Sequence, residues 1–229
     1  MASKTPIQPN HANAMTREIC VLTGDIVRSS SLSNALLEAL IKSLQRISDD
    51  IRSWSAVPSP PLERFRGDGW QLALTEPSRA LRAGLLVRAA IKSCHAQADS
   101  RIGFGVGAGA IKQSLATSSG PAFELSGELL DELNGPDRWA YGHRTDNSTP
   151  PSLASALFVA CEAVSSTWTS RQAEVFSQMI QPERTTLHAV ADRLDISPQA
   201  VQTHFSKAGG RALSHAVKAF ERAMEKNQP

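Results

Sequence analysis

Three cysteines in 229 residues, Cys20, Cys94 and Cys161, are too few and too scattered to frame a disulfide-bonded fold. None belongs to a Cys-x-x-Cys pair, so no zinc module is expected either. Isolated thiols in odd number suit core positions in a reducing compartment, and the expected location is the cytoplasm. No apolar run approaches the roughly 20 residues that cross a bilayer, so no membrane partner is expected. Residues 1–16 are polar and lack a basic segment followed by an apolar one, which argues against a secretory signal. They read as a disordered leader. There is no internal repeat and no long low-complexity tract. A formal net charge of +2 supplies no overall positive field for nucleic acid. From Ser166 onward eight Lys and Arg face six Asp and Glu, a weak bias, so DNA binding has to be argued from a motif.

What is present is periodic. Glu18–Thr23 is a short apolar run ending at Gly24-Asp25, the pattern of a buried strand. Apolar residues at 36, 37, 40, 41, 44, 47 and 51 make the stripe of an amphipathic helix between Leu32 and Trp54. Three prolines between Ser55 and Pro61 force a loop. Leu62–Arg66 and Trp70–Leu74 read as strands joined at Gly67-Asp68-Gly69, a hairpin turn signal. Pro77 opens a second helix running to about His95, and Arg101–Ala108 is again a strand. The resulting order, βαββαβ, predicts a ferredoxin-like α+β domain.

Beyond it, Ile111 is a candidate for a further strand, Pro121–Leu133 for a helix and Trp139–Tyr141 for a short strand. The expected organisation is a sheet domain over 17–150, a connecting helix within 151–168 and an all-α domain over 169–229. The apolar Leu153–Val164 helix could join the domains or pair two subunits. Gly103, Gly105, Gly107 and Gly109 share one strand face and predict close approach of a helix. Trp54, Trp70, Trp139 and Trp168 are expected as core or interface anchors.

The strongest local pattern lies between Thr186 and Phe205. Leu187, Val190, Ala191 and Leu194 form the inner stripe of one short helix. Ser197 caps the next, which turns Val201 and Phe205 inward. Ala191 is small where two helices must approach. Asp195, four residues on, sits where the turn wants a left-handed backbone, which Asp tolerates better than most residues. Val201 follows six residues later. These spacings resemble the helix-turn-helix of bacterial regulators, which implies that the second helix enters the major groove of double-stranded DNA. Ser197, Gln199, Ala200, Gln202, Thr203 and Lys207 would then face the bases, with Arg193 and Arg211 near the phosphates.

Gly24-Asp25-Ile26-Val27-Arg28-Ser29-Ser30 and Arg66-Gly67-Asp68-Gly69-Trp70-Gln71 each place an Asp at a turn of the expected sheet. Because the first strand runs beside the hairpin, Asp25 and Asp68 are expected to converge at one sheet end. Two carboxylates there would suit Mg²⁺ or Mn²⁺ carrying a nucleotide's phosphates. Arg28 and Arg66 are candidate phosphate clamps, and the backbone over Ile26, Val27, Arg28 and Ser29 a candidate phosphate cradle.

The same two segments resemble the metal-site motifs of class III nucleotide cyclases, and more so the SatD-type family of bacterial proteins. Arg101–Gly107 and Ser119-Gly120-Pro121-Ala122-Phe123 resemble that family's later strand and helix-opening loop. The likeness covers about residues 18–133 and implies a nucleotide site that includes Gly120, formed between the subunits of a homodimer. The sequence departs from active cyclases after the glycine loop. Glu124 and Glu128 stand where an Asn and a charge-steadying Arg are expected, so turnover is not expected. The expectation is a transcriptional regulator whose cyclase-like domain binds a nucleotide and modulates DNA binding. The alternatives are a working cyclase with an accessory helical domain, or a dimerisation scaffold that takes no ligand.

Overall fold

A computed structural model describes residues 17–65, 67–144 and 153–226. The fold is α+β, with one five-stranded sheet in the order β2-β3-β1-β4-β5. Strand β1 (Arg17–Ile26) lies between β3 (Gly69–Leu74) and β4 (Ser100–Gly109), antiparallel to both. β2 (Glu63–Phe65) pairs with β3 across a hairpin whose turn uses Gly67 at φ +82°. Helices α1 (Asn34–Arg52) and α2 (Ala80–Cys94) complete the expected βαββαβ order. A third helix, α3 (Pro121–Glu132), then crosses to β5 (Trp139–His143), parallel to β4. The turn at Pro77–Arg79 ahead of α2 is a tight 3-10 helix rather than the start of an α-helix. Ile111 joins no strand, a correction to the expectation; its neighbour Ala110 makes only an isolated bridge to Ser119.

Alternation along the strands sorts the two faces of the sheet. Cys20, Leu22, Leu72, Ile102, Phe104 and Val106 join the main core with α1 and α2. Ile19, Val21 and Ala73 pack on the opposite face with Ala122 of α3. There the glycines of β4 admit α3 at backbone contact distance. A Cβ on Gly103 would stand 2.2 Å from the Ser126 carbonyl oxygen, and one on Gly105 2.4 Å from that of Ala122.

The remaining helices are α4 (Leu153–Ser166), α5 (Ser170–Met179), α6 (Leu187–Leu194), α7 (Pro198–Lys207) and α8 (Gly210–Lys226). They do not stand off from the sheet unit. Every residue of α2 from Ala80 to Lys92 is buried, although the helix carries Arg82, Arg88 and Lys92. Phe158, Trp168, Phe176, Val217 and Phe220 belong to the same core as the sheet and α2. Ion pairs cross this junction. Arg82 holds Glu221 of α8 at 2.8 Å, and Arg88, 1% exposed, reaches Glu162 of α4 at 2.9 Å and Asp99 at 3.1 Å. Burying guanidinium groups is costly unless each meets a carboxylate, so these pairs fix how the helices dock.

Candidate functional site

Asp25 ends β1 and Asp68 lies in the β2–β3 turn, and both line one open cleft of about 390 Å³. Ile26, Val27, Arg28, Ser29, Arg101 and Arg138 share its walls. The loop after β1 is held tightly. Arg28 adopts a left-handed conformation (φ 54°), and its carbonyl accepts from both the amide and the hydroxyl of Ser31, at 2.9 and 2.8 Å. Val27 N–H donates to Asp99 O at 2.9 Å. Arg66 lies outside the described residues.

The carboxylate of Asp25 is not open. Arg101, opposite it on β4, donates Nε–H to Oδ1 at 3.0 Å and Nη2–H to Oδ2, while its Nη1 donates to Leu133 O at 2.8 Å. The hydrogen bond to Asp25 raises the Arg101 pKa, with the charges of Asp25, Asp131 and Asp68 acting the same way and burial opposing them. Both Asp25 oxygens are thus committed to a guanidinium. Among the described residues, no group of three or more His, Cys, Asp or Glu side chains comes together to hold a metal. The acidic pair as arranged does not fit a resident Mg²⁺ or Mn²⁺. The cleft is instead one in which cations outnumber carboxylates.

Gly120 is not part of this cleft. It caps α3 at φ +132°, and a Cβ on it would stand 2.9 Å from Gly109 Cα. Gly109 pairs with Arg17, whereas Arg101 pairs with Asp25, eight residues along β4. At about 3.4 Å per residue the two ends are about 27 Å apart. Within one chain Gly120 belongs to the far end of the sheet, where its positive φ serves a turn. Glu124 and Glu128 are exposed on α3, both facing Arg144. Trp70, fully buried, donates its indole N–H to Ser100 Oγ at 3.1 Å and is a core residue.

The helical part has a tri-helical centre of Val175, Val190, Ala191 and Val201 from α5, α6 and α7. Asp195 ends α6 in the left-handed region (φ 51°, ψ 51°), and Ala191 at 3% exposure receives the close helix contact. Ser197 caps α7 by accepting from the Ala200 amide at 3.1 Å. Val201 is the one fully buried residue of α7, while Gln199, Gln202, Thr203 and Lys207 are exposed and Ala200 is half-buried. Arg211, in the first turn of α8, is exposed. Arg193 is exposed but engaged within its own chain, donating to Ala189 O, Gln178 Oε1 and Thr185 Oγ1 at 2.7–3.1 Å. It clips α6 to α5 rather than standing free for a phosphate.

No family model and no curated protein matches this chain. Among the solved structures similar to this chain, two match over 56% of it. One is the guanylyl cyclase Cya2, at 17% identity and a TM-score of 0.41, matched over 75% of its own chain. The other is a bacterial light-regulated adenylyl cyclase, at 16% identity and a TM-score of 0.39, matched over 43% of its chain. Both likenesses are low, and the functional reading rests on this chain's own residues. No helix among the described residues is long and apolar enough to cross a membrane.

Three further residues had no place in the sequence reading of the site. Arg101 was visible only as the start of a strand; its role as partner of Asp25 depends on strand register, which no local pattern reports. Arg138 sits in the loop before β5. Lys92 is 4% exposed at the end of α2. A lysine in the last turn of a helix rich in Leu and Ala was the one available signal that something polar faces it.

Proposed function

We propose that this chain is a DNA-binding regulator and that its sheet domain binds a nucleotide without turning it over. The observation that carries the reading is the left-handed turn at Asp195 followed by the Ser197-capped α7, which buries Val201 and leaves Gln199, Gln202, Thr203 and Lys207 exposed. Gln side chains can pair bidentately with adenine in the major groove, while Lys207 and Arg211 supply phosphate contacts. The cations around Asp25 and Asp68 support an anionic ligand in the sheet domain. The Arg101–Asp25 pair weighs against metal-dependent turnover there.

A homodimer fits this role, because two copies of α7 would read half-sites about 34 Å apart. The apolar residues that α4 leaves exposed, Leu153, Val159 and Val164, are consistent with a second copy. Fluorescence anisotropy with selected and random duplexes tests the DNA reading. Gln199→Ala and Gln202→Ala are each expected to cost about 1–3 kcal/mol on the selected site and little on random DNA. Equal loss on both would remove base reading by α7. Cyclic product formed from ATP or GTP with manganese would make the protein an enzyme instead.

A further inference from the structure

Next to the Asp25 cleft, and sharing Val27, Arg28 and Arg138 with it, lies a second cavity of about 630 Å³ between the sheet domain and the helical domain. Its wall carries three basic side chains, Arg28, Lys92 and Arg138, against one carboxylate, Asp99. These four and the imidazole of His95 come from the sheet side, and Trp168 and Thr169 from the α4–α5 junction. The volume suits a small organic ligand.

The local charge is unbalanced. Asp99 and Glu162, the nearby carboxylates, are both held by Arg88. Arg28 makes no ion pair among the described residues, and Arg138 donates only to the backbone carbonyls of Gly135 and Asp137. Among the described residues the Lys92 ammonium makes one hydrogen bond, to Ala96 O at 3.2 Å. Burial lowers its pKa, against the pull of Asp99 and Glu162. A buried ammonium with so little compensation is costly, and an anion in the cavity would relieve it. Thr169 also caps the ten-residue α5, so that helix begins at the cavity wall and adds its partial positive charge.

The cavity wall is joined to α7. Trp168 donates its indole N–H to Ala208 O, at the C-terminal cap of α7, at 2.8 Å. Its ring lies 4.4 Å from that of Phe176 on α5, and Phe176 stacks on Phe205 of α7 at 6.1 Å. Three aromatic rings therefore run without a gap from the cavity to the helix that carries Gln199 and Gln202.

We infer that this cavity is an effector site for a small phosphate-bearing molecule, and that its occupancy is passed to α7 through Trp168. The inference deepens the regulator reading above and rests on it for the second half. It places the phosphates among Arg28, Lys92 and Arg138, and it makes the coupling a shift of Trp168 that α7 must follow, since packed rings cannot move independently.

The test uses the full chain with pyrophosphate and ATP as probes at one fixed ionic strength, because salt alone weakens such contacts. Calorimetry is expected to show binding that falls at least tenfold in Lys92→Met. Arg138→Ala and His95→Ala, away from the core, repeat the loss without disturbing a buried site. Arg46→Ala, an exposed charge on α1, controls for general electrostatics and leaves binding unchanged. Trp168→Phe retains binding while abolishing the effect of the probe on DNA affinity. Absence of binding by either probe overturns the inference. So does binding that survives Lys92→Met and His95→Ala but is lost in Arg101→Met, which would seat the ligand in the Asp25 cleft and leave the proposed function standing. A protein that binds no DNA fails as a regulator and takes the coupling with it, while the calorimetry still decides the site.

Discussion

Arg82 on α2 and Glu221 on α8 meet through two parallel hydrogen bonds of 2.8 Å, Nε to Oε1 and Nη2 to Oε2. Arg79 adds a third bond to the same carboxylate at 3.0 Å, and Arg82 also donates to Ile180 O after α5. One carboxylate thus anchors the last helix to the centre of the molecule.

Glu221→Ala is expected to cost about 3–5 kcal/mol, because it leaves the Arg82 guanidinium buried without a counter-charge. Glu221→Gln should cost less, since its amide oxygen still accepts. Urea denaturation of the three proteins measures this directly. A loss below about 1 kcal/mol for the alanine variant would mean that water reaches Arg82.

Gly103→Ala should destabilise by at least the about 1–3 kcal/mol typical of an overpacked site. The obstacle is the backbone of α3, with Ser126 O at 2.2 Å and Leu130 N at 2.7 Å from the new methyl. Gly127→Ala is the comparison, because open space surrounds that position. Thermal melts of the two should separate clearly.

Asp195→Gly should leave the protein as stable or more so, by up to about 1 kcal/mol, because glycine carries no penalty at φ 51°. Asp195→Val should lower stability, having a branched side chain at the same angle. If the glycine variant is instead the less stable, the Asp195 side chain is contributing something beyond the turn.

Cys94 is exposed, while Cys20 and Cys161 are buried. Burial raises the Cys161 thiol to about 11 and drives Cys20 further in the same direction. Alkylation at pH 8 is expected to label Cys94 alone until the protein is denatured. Raised thiol pKa values favour the folded state fully below about 9 and progressively less as pH climbs through 11. Cys161→Ala should therefore flatten the alkaline limb of a stability–pH curve.

The parts of this fold legible in the sequence are those set by local rules. The alternating glycines of β4 announced a helix against the backbone. The offsets from Ala191 to Asp195 to Val201 announced the helix pair, the left-handed residue included. The first strand and the hairpin placed Asp25 and Asp68 on one cleft because the order of elements leaves β1 beside β3.

The missing part depended on register and docking. Gly120 resembles a site loop in its immediate sequence, yet the length of β4 carries it to the opposite sheet end. Arg101 faces Asp25 only because ten residue pairs of β1 and β4 are aligned as they are. Arg82, Arg88 and Lys92 lie in a helix that is buried on all sides, and no local pattern showed it, because the partners of Arg82 and Arg88 in α8 and α4 are far along the chain.

The burial of α2 on every side has a further consequence. The helices around α7 have no free tether on which to swivel, because they are keyed into the same oil as the sheet. A signal crossing this molecule would travel as strain among close-packed neighbours, graded in ångströms, and heat should melt both halves in a single step.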